Sequence, residues 1–168
     1  MLAFRSAFLL VSMLASYSLV FGQFLEPDRQ RVIASDIIFL EVLGNGEYYS
    51  LNYEQTFLSN HWLGLAARFG VGAYPASRSK AEVRIPTTIS AFMGRDRLFI
   101  EAGVGVTFSF DSELMEQGSE TVPTGIFGLR LHPYRNGGLF LKMAYTPLFR
   151  PDDHRHGFGI AMGWGLGR

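Results

Sequence analysis

From Gly157 to Gly167 small and large side chains alternate without a break: Phe158, Ile160, Met162, Trp164 and Leu166 fall between Gly157, Gly159, Ala161, Gly163, Gly165 and Gly167. Successive side chains of a strand point to opposite faces, so this stretch predicts a strand with one large apolar face and one nearly bare face. Leu98 to Phe110 repeats the design. Leu98, Ile100, Ala102, Val104, Val106, Phe108 and Phe110 share one side, and Glu101, Gly103, Gly105, Thr107 and Ser109 share the other. Such a two-residue repeat is that of a β-barrel with lipid outside and polar or small side chains inside.

Eight strands are expected: Asp36 to Leu43, Glu47 to Leu58, His61 to Ala73, Val83 to Met93, Arg97 to Phe110, Pro123 to Pro133, Gly138 to Phe149 and Gly157 to Gly167. Gly44-Asn45-Gly46 reads as a tight hairpin, because Asn-Gly supplies the positive φ angles of a two-residue turn. Short turns are expected at Ser59-Asn60, Gly94-Arg95-Asp96 and Tyr134-Arg135-Asn136-Gly137. Longer loops are expected at Tyr74 to Glu82, Asp111 to Val122 and Arg150 to His156. An even strand count permits antiparallel closure, and short turns at one end with longer loops at the other match an outer-membrane barrel.

The alternation assigns each charge in a strand to a face. Glu41, Glu54 and Glu101 turn inward with Arg68, Arg84, Arg130 and Lys142, accompanied by Ser50, Asn52, Thr56, Ser90 and Thr107. Leu40, Val42, Leu51, Tyr53, Leu65, Phe69, Ile85, Ile89, Val104, Leu129, Leu131, Leu141, Met143 and Met162 turn outward. Eight strands leave room only to fill the interior with side chains, so the charges are expected to meet as a buried ion-pair network in a polar lumen. Each needs a partner there, since an unpaired buried charge is very costly. Aromatic residues are expected in two girdles: Phe57, Trp62, Tyr134 and Trp164 near the short turns, and Tyr48, Tyr49, Tyr74, Phe110, Tyr145, Phe149 and Phe158 near the loops.

Export is expected from the N-terminus. Arg5 precedes an apolar run from Ala7 to Val20, and small residues follow, so residues 1–22 read as a cleaved secretory signal, with 23–35 as a flexible periplasmic lead before a barrel at 36–168. An uncleaved anchor is the alternative, but the run falls short of the roughly 20 residues that span a bilayer. Charged residues make up 18% of the chain, against about 25% in soluble domains. Lys and Arg equal Asp and Glu at 15 each, which removes a global electrostatic case for nucleic acid. The chain contains no cysteine, so disulfides, thiolate catalysis and cysteine lipidation are excluded.

The stretch Phe39 to Glu54, FLEVLGNGEYYSLNYE, resembles the opening hairpin of small outer-membrane β-barrel proteins common in the Bacteroidetes, and the strand plan resembles the eight-stranded OmpA/OmpX type. The resemblance implies an all-β, up-and-down transmembrane barrel in the cell outer membrane, in contact with outer-membrane lipid and inserted by the barrel-assembly machinery. The chain departs from many such barrels at its C-terminus, which ends Gly165-Leu166-Gly167-Arg168 rather than on an aromatic residue.

Other chemistries fit the sequence less well. Asp152, Asp153, His154 and His156 carry metal-ligating types, but fixed three- or four-ligand geometry is not promised between Pro151 and Gly157, and a solvated loop is the better reading. Glu113, Glu116 and Glu120 lack the spacing of a calcium loop. A lipid-modifying enzyme needs a nucleophile, a base and a group orienting the base, which the outward residues do not supply. A soluble lipocalin-like barrel would crowd the aromatic face into one narrow lumen. The expectation is therefore a monomeric, non-enzymatic barrel without cofactor, metal or catalytic residues, whose role is structural or in surface interactions.

Overall fold

A computed structural model describes residues 33–60, 62–77, 80–111, 119–150 and 154–167. Eight strands follow one another: β1 (Asp36–Val42), β2 (Tyr49–Ser59), β3 (Leu63–Ser77), β4 (Lys80–Arg95), β5 (Leu98–Asp111), β6 (Ser119–Leu131), β7 (Gly138–Phe149) and β8 (His154–Leu166). Each pairs with its neighbours in sequence, and β1 closes antiparallel on β8 from Asp36 opposite Leu166 to Val42 opposite Ile160. The sheet therefore has no free edge, and its backbone polar groups need no water. The residues read as signal and most of the lead, 1–32, lie outside the described part, as does His61.

Three expected loops are shorter than their sequences imply. Pairing runs on to Ser77 opposite Lys80, so most of Tyr74 to Glu82 is strand; Ser119 to Val122 belong to β6, and His154 to His156 to β8. The apolar alternation stops where the greasy band stops, but the backbone ladder needs no apolar side chains and continues past it. At 15 and 16 residues β3 and β4 exceed the roughly 9–11 that cross a bilayer at a tilt. Among the described residues pairing lapses opposite Pro86 between β3 and β4 and near Pro147 between β6 and β7, where proline has no N–H to give the ladder, and the register shifts between Thr56 and Leu58 and between Pro75 and Ser77.

The first hairpin is a second correction. Positive φ falls on Leu43 (60°) and Glu47 (65°), not on Asn45. The chain does not make a two-residue turn but a six-residue loop, Leu43–Tyr48, pinned by Leu43 N donating to Tyr48 O at 2.9 Å and Glu47 N to Gly44 O at 2.8 Å. It folds back into the barrel mouth, and Asn45 is fully buried.

The two faces separate as the alternation requires. Val104 is 72% exposed, Phe158 68% and Met162 63% on the outside, whereas Arg130 is 0% exposed inside. Outward too are Trp62, Trp164 and Tyr134 near the short turns, and Tyr48, Tyr49, Phe110 and Phe149 near the loops. Inward glycines make the space. A Cβ on Gly163 would overlap Phe39, and one on Gly64 would overlap Phe92.

Candidate functional site

The interior is the part of the molecule with chemistry in it, and it divides into three layers. At the short-turn end it is aromatic rather than polar. Phe92 stands edge-on to Phe99 with ring centroids 5.2 Å apart and stacks on His132 at 5.2 Å, while Phe39 and Phe140 meet at 5.0 Å. The expectation of a polar lumen fails here. These positions share the parity of Glu41, Ser90, Glu101 and Lys142, so alternation had already turned them inward, and their size fills what the glycines leave open.

The residues just before β1 pack against this end. Ile33 packs with Ala66, Phe92 and Phe99 and bridges to Tyr134. Ala34 N donates to Pro133 O at 3.0 Å, and His132 Nε2 donates to Ala34 O at 2.9 Å. Arg97 staples the turn from outside, donating from Nε to His132 O and from Nη2 to Leu139 O, both at 3.1 Å, with its guanidinium 4.7 Å from the Tyr134 ring centre.

The middle layer is ionic. Glu41 and Arg68 form a two-pronged pair, and Arg68 Nε also donates to Asn52 Oδ1 at 2.9 Å. Asn52 in turn donates to Ser50 O and Oγ. Beside it runs a chain of four: Glu54 pairs with Arg130, Arg130 Nη1 lies 3.4 Å from Glu101, and Lys142 Nζ lies 3.0 Å from Glu101. Three carboxylates thus meet three cations, which keeps the layer neutral where a net charge would be most costly. The Arg130 guanidinium also caps the aromatic layer, 4.4 Å from the Phe92 centroid and 5.1 Å from that of Phe140, a favourable placement over ring faces.

Arg84, grouped with these charges by parity alone, belongs elsewhere. It sits in a third layer at the loop end, paired with Glu47 and, at 3.0 Å, with Glu82. Arg150 reaches Glu47 at 2.8 Å and Glu120 at 3.4 Å, and Arg155 lies 3.8 Å from Glu47. Below them Thr107 Oγ1 donates to Asn45 O at 3.1 Å and Thr124 Oγ1 to Asn45 Oδ1 at 2.9 Å. Asn45 and Arg150 were missed in the sequence because each stands in a stretch that reads as turn or loop, and Glu47 because the parity of the expected strand Glu47 to Leu58 turns it outward.

On the outer wall near the same end, the Tyr145 hydroxyl and His156 Nδ1 lie 2.5 Å apart with their rings stacked. Asp152 and Asp153 lie outside the described residues, as do Glu113, Glu116 and the side chain of His154. Among the described residues no three His, Asp or Glu side chains are grouped so as to hold a metal.

A closed, eight-stranded antiparallel barrel with this inside-out distribution has the fold of small outer-membrane barrels. Among solved structures it is similar to the N-terminal β-barrel domain of OprF from Pseudomonas aeruginosa, with a TM-score of 0.53 at 10% identity, over 82% of this chain and 100% of that one. It is also similar to the outer-membrane protein Ail of Yersinia pestis in a phospholipid nanodisc, with a TM-score of 0.52 at 14% identity, over 80% of this chain and 99% of that one. No protein-family model matches the sequence, and no curated protein matches it.

Proposed function

We propose that this chain is a monomeric outer-membrane protein, exported by a cleaved N-terminal signal, inserted by the barrel-assembly machinery and surrounded by outer-membrane lipid. Its role is non-enzymatic, structural or in surface interactions, without cofactor or nucleic-acid partner, and the resemblance of the stretch Phe39 to Glu54 supports grouping it with small barrels of the Bacteroidetes kind. The observation that carries this reading is the inversion of surface and interior: a broad band of large apolar side chains is exposed while Glu41, Glu54, Glu101, Arg68, Arg130 and Lys142 are sealed inside. In water such an exterior would be an aggregation surface; in a bilayer it is the solvated one. The interior, filled by aromatic and ion-paired side chains, serves to hold the cylinder rather than to pass solutes.

Membrane fractionation followed by electrophoresis with and without boiling tests this. Sedimentation with the outer membrane, release only by detergent and an unboiled band of altered mobility are expected. A mature chain that stays in solution without detergent would overturn it.

A further inference from the structure

The loop Leu43–Tyr48 occupies the lumen's loop end as a ligand would. Asn45 is fully buried although it belongs to a connecting loop, and it is gripped through both its backbone carbonyl and its side-chain amide oxygen. Two residues on, the Glu47 carboxylate is held between Arg84 and Arg150. The wall is hollowed to receive the loop, since a Cβ on Gly159 would come within 2.7 Å of the Gly44 Cα.

Two further observations accompany this fit. Leu43 and Glu47 both adopt φ near +60°, a region unfavourable for residues with a Cβ. Buried polar groups at this end of the lumen are also left over. Ser109 Oγ, Thr146 Oγ1 and Asn45 Nδ2 are buried without a hydrogen-bond partner among the described residues, and a buried polar group left unpaired is costly.

We propose that the loop end of the lumen is a binding site for a short acidic peptide, or a small solute joining an amide to a carboxylate, and that Asn45 and Glu47 fill it as a tethered internal ligand. The hydroxyls of Thr107 and Thr124 read the amide, and the arginines take the carboxylate by charge-assisted bonds. A competing ligand lifts the loop and takes its place. That this site opens to the cell exterior rests on the outer-membrane reading; its occupation by the loop does not.

The absence of cysteine from the chain gives a clean test in purified, refolded protein. Ser109→Cys places a thiol on the strand position paired with Arg84, which holds Glu47, with Thr146→Cys as a second reporter, and retention of the heat-sensitive mobility shift shows that each variant is folded. In the Asn45→Ala/Glu47→Gln background, reaction of the reporter with a charged maleimide is expected to accelerate at least about tenfold. The acetylated, amidated hexapeptide Leu-Gly-Asn-Gly-Glu-Tyr is then expected to restore protection, and its Gln counterpart to require about tenfold more peptide. Unchanged reactivity in a folded barrel overturns the proposal, as does equal protection, or none, by the two peptides. Loss of the mobility shift in the parent protein would instead count against the barrel itself.

Discussion

Arg130 and Glu54 pair at the centre of the barrel with their side chains 0% and 1% exposed. Arg130 belongs to β6 and Glu54 to β2, so the pair crosses the cylinder and ties two strands that share no backbone bonds. Such a pair need not exceed an apolar substitute in stability, but removing one partner strands the other.

Arg130→Met is therefore expected to destabilise the barrel by about 3–5 kcal/mol, measured as a shift of the denaturant midpoint in micelles. Arg135, exposed in the turn after β6, is the control, and Arg135→Met should leave the midpoint where it was. Equal midpoints for both variants would remove the buried pair from the account.

Glu41 and Arg68 should behave as a unit. Glu41→Gln and Arg68→Met are each expected to cost stability, while the double variant recovers about 1–3 kcal/mol of the summed loss. Strict additivity in this double-mutant cycle would show that the two side chains do not interact.

The inward glycines predict steric intolerance on one face only. Gly163→Val drives a branched side chain into Phe39 and the β1 backbone, and overpacking of this kind costs about 1–3 kcal/mol or more. Met162→Val, one residue away and 63% exposed, should be nearly neutral by the same unfolding assay. Reversal of the two effects would mean that β8 is turned the other way.

Val104 discriminates between lipid and water. Val104→Arg places a charge on the outer wall midway along β5 and is expected to cost about 2–4 kcal/mol in a bilayer, read from refolding yield and unfolding in lipid vesicles. A stable, well-folded Val104→Arg variant would be the result of an exterior facing water.

Much of this was legible in the sequence because a strand has only two faces. Once Glu101 and Thr107 were set inward, the parity of every residue in Leu98 to Phe110 followed, and Phe99 with it. The aromatic layer was overlooked because charge, rather than parity, guided the choice of inward residues at Phe39, Phe92 and Phe140. The loop-end layer was harder for a physical reason. Gly44-Asn45-Gly46 carries a strong local turn signal, and what overrides it is tertiary: Glu47 finds Arg84 and Arg150 on β4 and just past β7. Strand ends were misjudged at Ser77, Lys80 and Ser119 because backbone pairing outlasts the hydropathy pattern that revealed it.

The exterior's solvent is the central claim, and the chain's two tryptophans report on it. Trp62 and Trp164 are 52% and 59% exposed on the outer wall near the short turns, and interfacial tryptophans sit at the level of the headgroups. In vesicles of brominated phospholipid their fluorescence should be strongly quenched, more by bromine near the headgroup than by bromine near the chain end. A folded barrel whose tryptophans escape quenching at every bromine depth would contradict the account.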